Sequence, residues 1–205
     1  MIRAWMLAAC VAWGGPTWAA TFEHCGRPDA KIAGAAIASA LDLAIRAAAA
    51  VGDTSEYTLW FGTFSTANGE EVRANLKAIH KELLGNEIKA ICLGPQEVDC
   101  KEETYAYILY ERPHVIHLCP SFFRMPTLAD ARAGRAGMED GTREGTIIHE
   151  LSHFPFTAGT GDECYGRTTC ANMAGRDAPR AITTADSYQY YAEDVTLAFW
   201  SRPAH

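Results

Sequence analysis

Thr142-Arg143-Glu144-Gly145-Thr146-Ile147-Ile148-His149-Glu150-Leu151-Ser152-His153, continuing into Phe154-Pro155, is the stretch on which the reading of this chain turns. Its pattern predicts a helix over Thr142–His153. Pro155 ends that helix, because proline has no amide proton to donate and disfavours a helical conformation at Phe154. His149 and His153 stand four residues apart, so they share one face, about 6 Å apart along the axis. Two imidazoles so placed can grip one zinc ion, with Glu150 beside them as a base toward a water at that ion.

The residues after the helix discriminate among zinc sites. A metzincin-type site needs glycine at 156 and histidine at 159, and the chain has Phe156 and Gly159. A thermolysin-like site needs a glutamate about twenty residues on, and none lies between Cys164 and Ala192. The chain reads instead Gly159-Thr160-Gly161-Asp162-Glu163-Cys164-Tyr165-Gly166, a G-T-x-D-x-x-Y-G pattern. Together with H-E-x-x-H it resembles the aspzincin metallopeptidases, the family of deuterolysin and peptidyl-Lys metalloendopeptidase. Tyr57-Thr58-Leu59-Trp60-Phe61-Gly62, His117-Leu118-Cys119-Pro120-Ser121-Phe122-Phe123 and Ala185-Asp186-Ser187-Tyr188 are similar to further segments of that family.

The resemblance implies that His149, His153 and Asp162 bind one Zn2+ and leave a fourth position open, as a catalytic zinc requires. It implies Glu150 as the base and Tyr165 as a phenol aimed at the developing oxyanion. Glycines at 159 and 161 let the chain turn back so that Asp162 reaches the ion; Glu163, next to it, is left open as a substitute ligand. Lysine-specific members are taken to place two acidic residues at the start of the last helix. Here these fall on Asp186 and Gln189, so the pair is incomplete and a preference for Lys or Arg at P1′ is weakened. Thr183-x-x-Asp186 is also a possible capping box, an equal alternative for Asp186.

Around this centre the rest of the chain sets context. The 205 residues are 48% hydrophobic and 21% charged, which fits one globular domain and is too apolar for intrinsic disorder. A formal net charge of −7 argues against a nucleic-acid binder. Residues 1–20 read as a secretory signal: Arg3, an apolar run from Trp5 to Trp13, Gly14-Gly15-Pro16, then small residues at Ala19 and Ala20. The run is too short to span a bilayer, so no stable membrane insertion is expected. Leu7-Ala8-Ala9-Cys10 offers lipoprotein anchoring at Cys10 as a second alternative. Beyond the leader, Cys25, Cys92, Cys100, Cys119, Cys164 and Cys170 form an even set, which in an exported chain points to disulfides with fifteen possible connectivities. Family likeness together with spacing favours Cys25–Cys92, Cys100–Cys119 and Cys164–Cys170.

Periodicity predicts helices over residues 29–51, from about Glu70 to Gly85, and from about Ala185 to Trp200, the last burying Tyr188, Tyr191, Val195 and Phe199. The first is expected to bury Ile37, Leu41, Ala44, Ile45 and Ala48. Strands are expected at Tyr57–Thr63, Ile88–Cys92, Thr104–Tyr110 and Val115–Cys119, with a turn at Arg112-Pro113. The fold class is α+β and zincin-like: a mixed helix–strand N-terminal half and a helical C-terminal half flank a cleft floored by the metal helix. The expectation is a secreted or periplasmic, monomeric zinc endopeptidase of residues 21–205, acting on protein or peptide substrates laid along an edge strand. Two rivals stand beside it, a zinc amidase acting on peptidoglycan cross-links and a non-catalytic zinc- or peptide-binding domain.

Overall fold

A computed structural model describes residues 20–85, 88–101 and 103–201. The leader reading, with Cys10, falls outside these apart from Ala20. The fold is α+β. Helix α1 (Arg27–Ala50) starts with Pro28 in its first turn and turns an alanine-rich face inward. Ala33, Ala36, Ala40, Ala44 and Ala47 let α3 (Thr66–Gly85), α5 (Arg143–Ser152) and α8 (Ala185–Trp200) approach its backbone closely. By length and composition α1 could cross a bilayer, yet half of its most apolar window is buried inside the protein. Ile45 is not part of that buried face; Leu43 takes its place.

Residues 57–63 are not a strand. Helix α2 (Ser55–Phe61) occupies residues 57–61 and Gly62 caps it, because Thr54 Oγ1 accepts the Tyr57 amide at 3.1 Å and starts a helical turn. Tyr57, Trp60 and Phe61 then fall at i, i+3 and i+4 and all are buried. Each such side chain contributes about 1.5–3 kcal/mol on burial, more than enough to override the strand propensity of aromatics. Tyr57 and Phe61 pack edge-on against Tyr191 of α8, and Phe61 against Tyr188. In α8, Tyr188 and Tyr191 are buried as expected. Val195 is only partly so, and Phe199 is 51% exposed beneath the Arg46 guanidinium.

The sheet has strand order β1-β2-β4-β3. Strands β1 (Thr21–Glu23), β2 (Lys89–Cys92) and β4 (Val115–Leu118) are parallel, and β3 (Ala106–Tyr107) runs antiparallel to β4 at one edge. β1 carries no periodic signal and was not foreseen. β3 is far shorter than Thr104–Tyr110, because turns close on either side of it, from Lys101 to Thr104 and from Leu109 to Arg112. The remaining helices are α4 (Leu128–Arg132), α6 (Arg167–Ala174) and α7 (Ala178–Ile182). Disulfides join Cys25 to Cys92, Cys100 to Cys119 and Cys164 to Cys170. The first staples the β1 end to β2, and the second ties the segment before β3 to the end of β4.

Candidate active site

α5 carries His149 and Glu150, with His153 at its end, and is held by neighbouring elements. At its start Thr142 is the N-cap, its Oγ1 accepting the Gly145 amide at 3.1 Å. Glu193 of α8 accepts both the Thr142 amide and hydroxyl, at 2.7 and 2.8 Å, and Arg167 pairs with its other oxygen at 2.6 Å. A β-carbon at Gly145 would lie 2.0 Å from the Glu193 carboxylate, so glycine is what lets α5 and α8 cross here. At its end His153 is the C-cap.

Both imidazoles are oriented through Nδ1. His153 Nδ1 lies 2.9 Å from the Thr160 carbonyl oxygen, which can only accept, so the proton sits on Nδ1 and the Nε2 lone pair is free. His149 Nδ1 donates to Asp186 Oδ1 at 2.9 Å. The two Nε2 atoms face Asp162, whose Oδ1 is 3.2 Å from that of His149 and 3.4 Å from that of His153. Ligand bonds of about 2.0–2.1 Å around a tetrahedral ion place donors about 3.3–3.4 Å apart, so the separation of the carboxylate oxygen from each imidazole nitrogen fits zinc, and all three atoms lie within 4.8 Å of one another.

The electrostatics agree with that fit. Burial alone would pull the His149 imidazole down, but the Asp162 and Asp186 carboxylates hold it well above its ordinary value. They favour positive charge at His149, which is what a divalent ion would bring. Burial, with His149 nearby, pushes His153 below its ordinary value. Burial would raise the Asp162 carboxyl, yet the hydrogen bond and charge of His149 hold it low. Glu150 is 5% exposed, and burial pushes its carboxyl up to about 7.

The loop after α5 explains how Asp162 arrives. Gly159 turns at φ +61°. The Thr160 amide donates to the Ser152 carbonyl at 3.1 Å, and the two hydroxyls of Thr160 and Ser152 meet at 2.6 Å. Gly161 then forms a parallel bridge with Thr184: its amide donates to Thr183 at 2.9 Å, and Ala185 donates back to it at 3.0 Å. Glu163, left open as a ligand, is drawn away by Arg180, whose Nε lies 2.8 Å from its carboxylate. The Cys164–Cys170 disulfide closes the loop that holds Tyr165 and Gly166. Tyr165 is 66% exposed rather than packed into the loop, and its phenol hydrogen-bonds to Asp162. Burial and then the Asp162 charge push it up to about 12, so it stays a donor.

Asp186 is 4% exposed and both its oxygens are engaged, Oδ1 by His149 and Oδ2 by the Gly166 amide at 3.1 Å. It does not serve a capping box; Thr184 is the N-cap of α8 and makes no side-chain cap. Gln189, one turn on, is 3% exposed. These groups meet in a cleft of about 740 Å³. Its lining includes His149 and Glu150 of α5, Tyr105, Tyr107 and Ile108 of the β3 segment, and Tyr165, Gly166 and Gln189. Sequence reasoning missed Thr160 and the orienting contacts of Asp186. Thr160 stood within the quoted pattern, but nothing in a linear pattern shows a carbonyl turned toward a ring.

The family model described as "Lysine-specific metallo-endopeptidase", that of the aspzincins, matches residues 46–193. The chain belongs to the aspzincin family. This aspzincin is 34% identical over 140 residues to an "Extracellular protease" of Aeromonas hydrophila, covering 68% of this chain and 36% of that protein. It is 31% identical over 142 residues to a "Peptidyl-Lys metalloendopeptidase" of Pleurotus ostreatus, covering 69% of this chain and 74% of that one. A zinc peptidase from Grifola frondosa shares the fold of this aspzincin, with a TM-score of 0.69 at 23% identity, over 83% of this chain and 97% of that one.

Proposed function

We propose that this aspzincin is a zinc-dependent endopeptidase. The observation that carries the reading is the convergence of His149 Nε2, His153 Nε2 and Asp162 Oδ1, the carboxylate oxygen at zinc-ligand separations from both nitrogens, beside a buried Glu150 in an open cleft. When bound, the ion supplies Lewis acidity that makes water acidic near neutrality and polarises a carbonyl. His149, His153 and Asp162 hold it. Glu150 takes the proton from the attacking water on its carboxylate and returns it to the leaving amine nitrogen. Tyr165 keeps its phenolic proton and donates a hydrogen bond to the carbonyl oxygen as charge builds there.

Substrate backbone lies extended along β3, whose outer edge faces no other strand among the described residues. The reading includes a leader over residues 1–20, export or periplasmic residence, and residues 21–205 acting as one monomeric domain with one zinc ion. A basic residue at P1′ is preferred, modestly, because the second acidic position is Gln189.

Casein hydrolysis by the purified protein, with and without chelator and beside Glu150→Gln, tests the reading. Proteolysis lost in both controls supports it, with the variant still retaining zinc; a general base typically contributes about 10²–10⁴ in rate. Zinc bound by the wild type without proteolysis refutes it and favours a binding role or another hydrolase.

A further inference from the structure

Arg167 opens α6 two residues after Tyr165, and its guanidinium reaches three other segments. Nε donates to the Met138 carbonyl at 2.8 Å. One terminal nitrogen donates to Asp194 Oδ1 at 2.8 Å and the other to Glu193 Oε2 at 2.6 Å. The Tyr190 ring lies against the group, its centre 4.7 Å from the guanidinium carbon. Burial would pull this guanidinium down, yet the Glu193 and Asp194 charges hold it above its ordinary value.

Each partner is itself tied to a working part. Glu193 accepts the Thr142 amide and hydroxyl and so holds the start of α5. Burial pushes the Glu193 carboxyl up to about 7, and Arg167 draws it back toward the charged form that accepts both bonds. Asp194 accepts the Trp60 indole at 2.9 Å and brings in α2. Met138 lies four residues before Thr142, on the approach to α5. One planar fork thus joins the first turn of α6 to α8, α2 and the entry of the metal helix, a geometry that the single ammonium of lysine does not reproduce.

Tyr165 depends on this joint. It is 66% exposed, so its phenol is aimed only as well as its backbone is held. The next amide, that of Gly166, donates to Asp186 in the first turn of α8 at 3.1 Å. Arg167 then grips the same helix at Glu193, about two turns further along. We propose that Arg167 is a positioning residue for Tyr165, registering the backbone that carries the phenol against the helix that carries His149 and Glu150. The inference rests on the endopeptidase reading above and extends it to a side chain that does not line the cleft. A misplacement of about 1 Å costs about 10²-fold in rate. A loss passed on through one donor is also bounded by the loss from removing that donor.

The test uses the zinc-saturated full chain and a short fluorogenic peptide. Arg167→Lys keeps a charge beside Glu193 and gives up the fork. It is expected to lower kcat about 10- to 100-fold, with KM and zinc affinity close to wild type. Arg167→Met combined with Glu193→Gln removes both buried charges together, covers the case of a single variant that does not fold, and is expected to behave alike. In a Tyr165→Phe background either change is expected to leave kcat within about twofold, since the phenol it acts through is gone. An equal fall in both backgrounds, or a lower Tm with kcat unchanged, overturns the assignment. If the wild type cleaves no peptide, the endopeptidase reading falls by itself, and hydrogen exchange judges the positioning. Arg167→Lys is then expected to speed exchange of the amides of residues 165–168 by about tenfold and to leave those of 147–151 unchanged. Exchange unchanged over 165–168, or accelerated equally in both segments, overturns it.

Discussion

Thr160 serves His153 twice over: its carbonyl oxygen lies 2.9 Å from the ring Nδ1, and its hydroxyl meets Ser152 Oγ at 2.6 Å on the turn that ends the metal helix. Backbone and side chain of one residue thereby set the tautomer of His153 and the path of the loop that delivers Asp162.

Replacing Thr160 by Val keeps the carbonyl and removes the hydroxyl. Ser152 Oγ keeps its bond to the His149 carbonyl at 2.6 Å but loses a buried partner. The expected cost is about 1–2 kcal/mol of stability, with Tm lower by roughly 2–8 °C in a domain of this size. Thermal melts with zinc present read this directly, and an unchanged Tm would count against the hydroxyl pair.

Asp186→Asn leaves a side chain of the same shape with a weaker hold on His149 Nδ1. Loss of such an orienting carboxylate typically weakens metal binding by about 10- to 100-fold. Competition with a zinc-chelating dye gives the dissociation constant without any reference to turnover. An affinity equal to wild type would mean that the 2.9 Å contact does not orient the ring.

Tyr165→Phe removes one donor from an exposed position that packs no core. The expected result is a fall in kcat of about 10²-fold or more with KM and Tm little changed. A rise in KM alone would show that the phenol holds substrate and does not stabilise developing charge.

Acid stability has a definable contributor at α4. The Thr127 hydroxyl and then Arg135 hold the Asp130 carboxyl down at about 2, below its ordinary value of 3.8. Its folded value is the lower one, so its contribution is present above about pH 4 and is lost as the pH falls toward 2. Wild type should therefore exceed Asp130→Asn in urea midpoint at pH 6, and the gap should shrink as the pH falls below 4 and close only below about pH 2. A gap that persists at low pH would contradict this origin.

Much of the site was legible because helical spacing is a strong constraint. His149, Glu150 and His153 emerge from a five-residue pattern, and the likeness to a known family carried Asp162 and Tyr165 into their cleft. The extent of the last helix was legible from its periodicity, although of the four side chains expected to be buried only Tyr188 and Tyr191 are fully so. The parts that were not legible depended on tertiary contact. The aromatic run at Tyr57–Phe61 has strand propensity, and only the Thr54 cap and the facing tyrosines of α8 make it a helix. Ile45 and Leu43 lie at the boundary of one apolar stripe, and a neighbouring helix decides which is covered. The engagement of Asp186 required knowing that Gly166 returns to it from twenty residues away.

The bridge between Gly161 and Thr184 makes the third donor and the first turn of α8 a single piece of backbone. A bulky substrate that levered this wall outward would drag Asp162 off the paired imidazoles. The groove is consequently unable to broaden on the α8 side and remain armed. Any accommodation of larger side chains has to come from the opposite bank, where Tyr105, Tyr107 and Ile108 sit on a short edge strand with turns at either end.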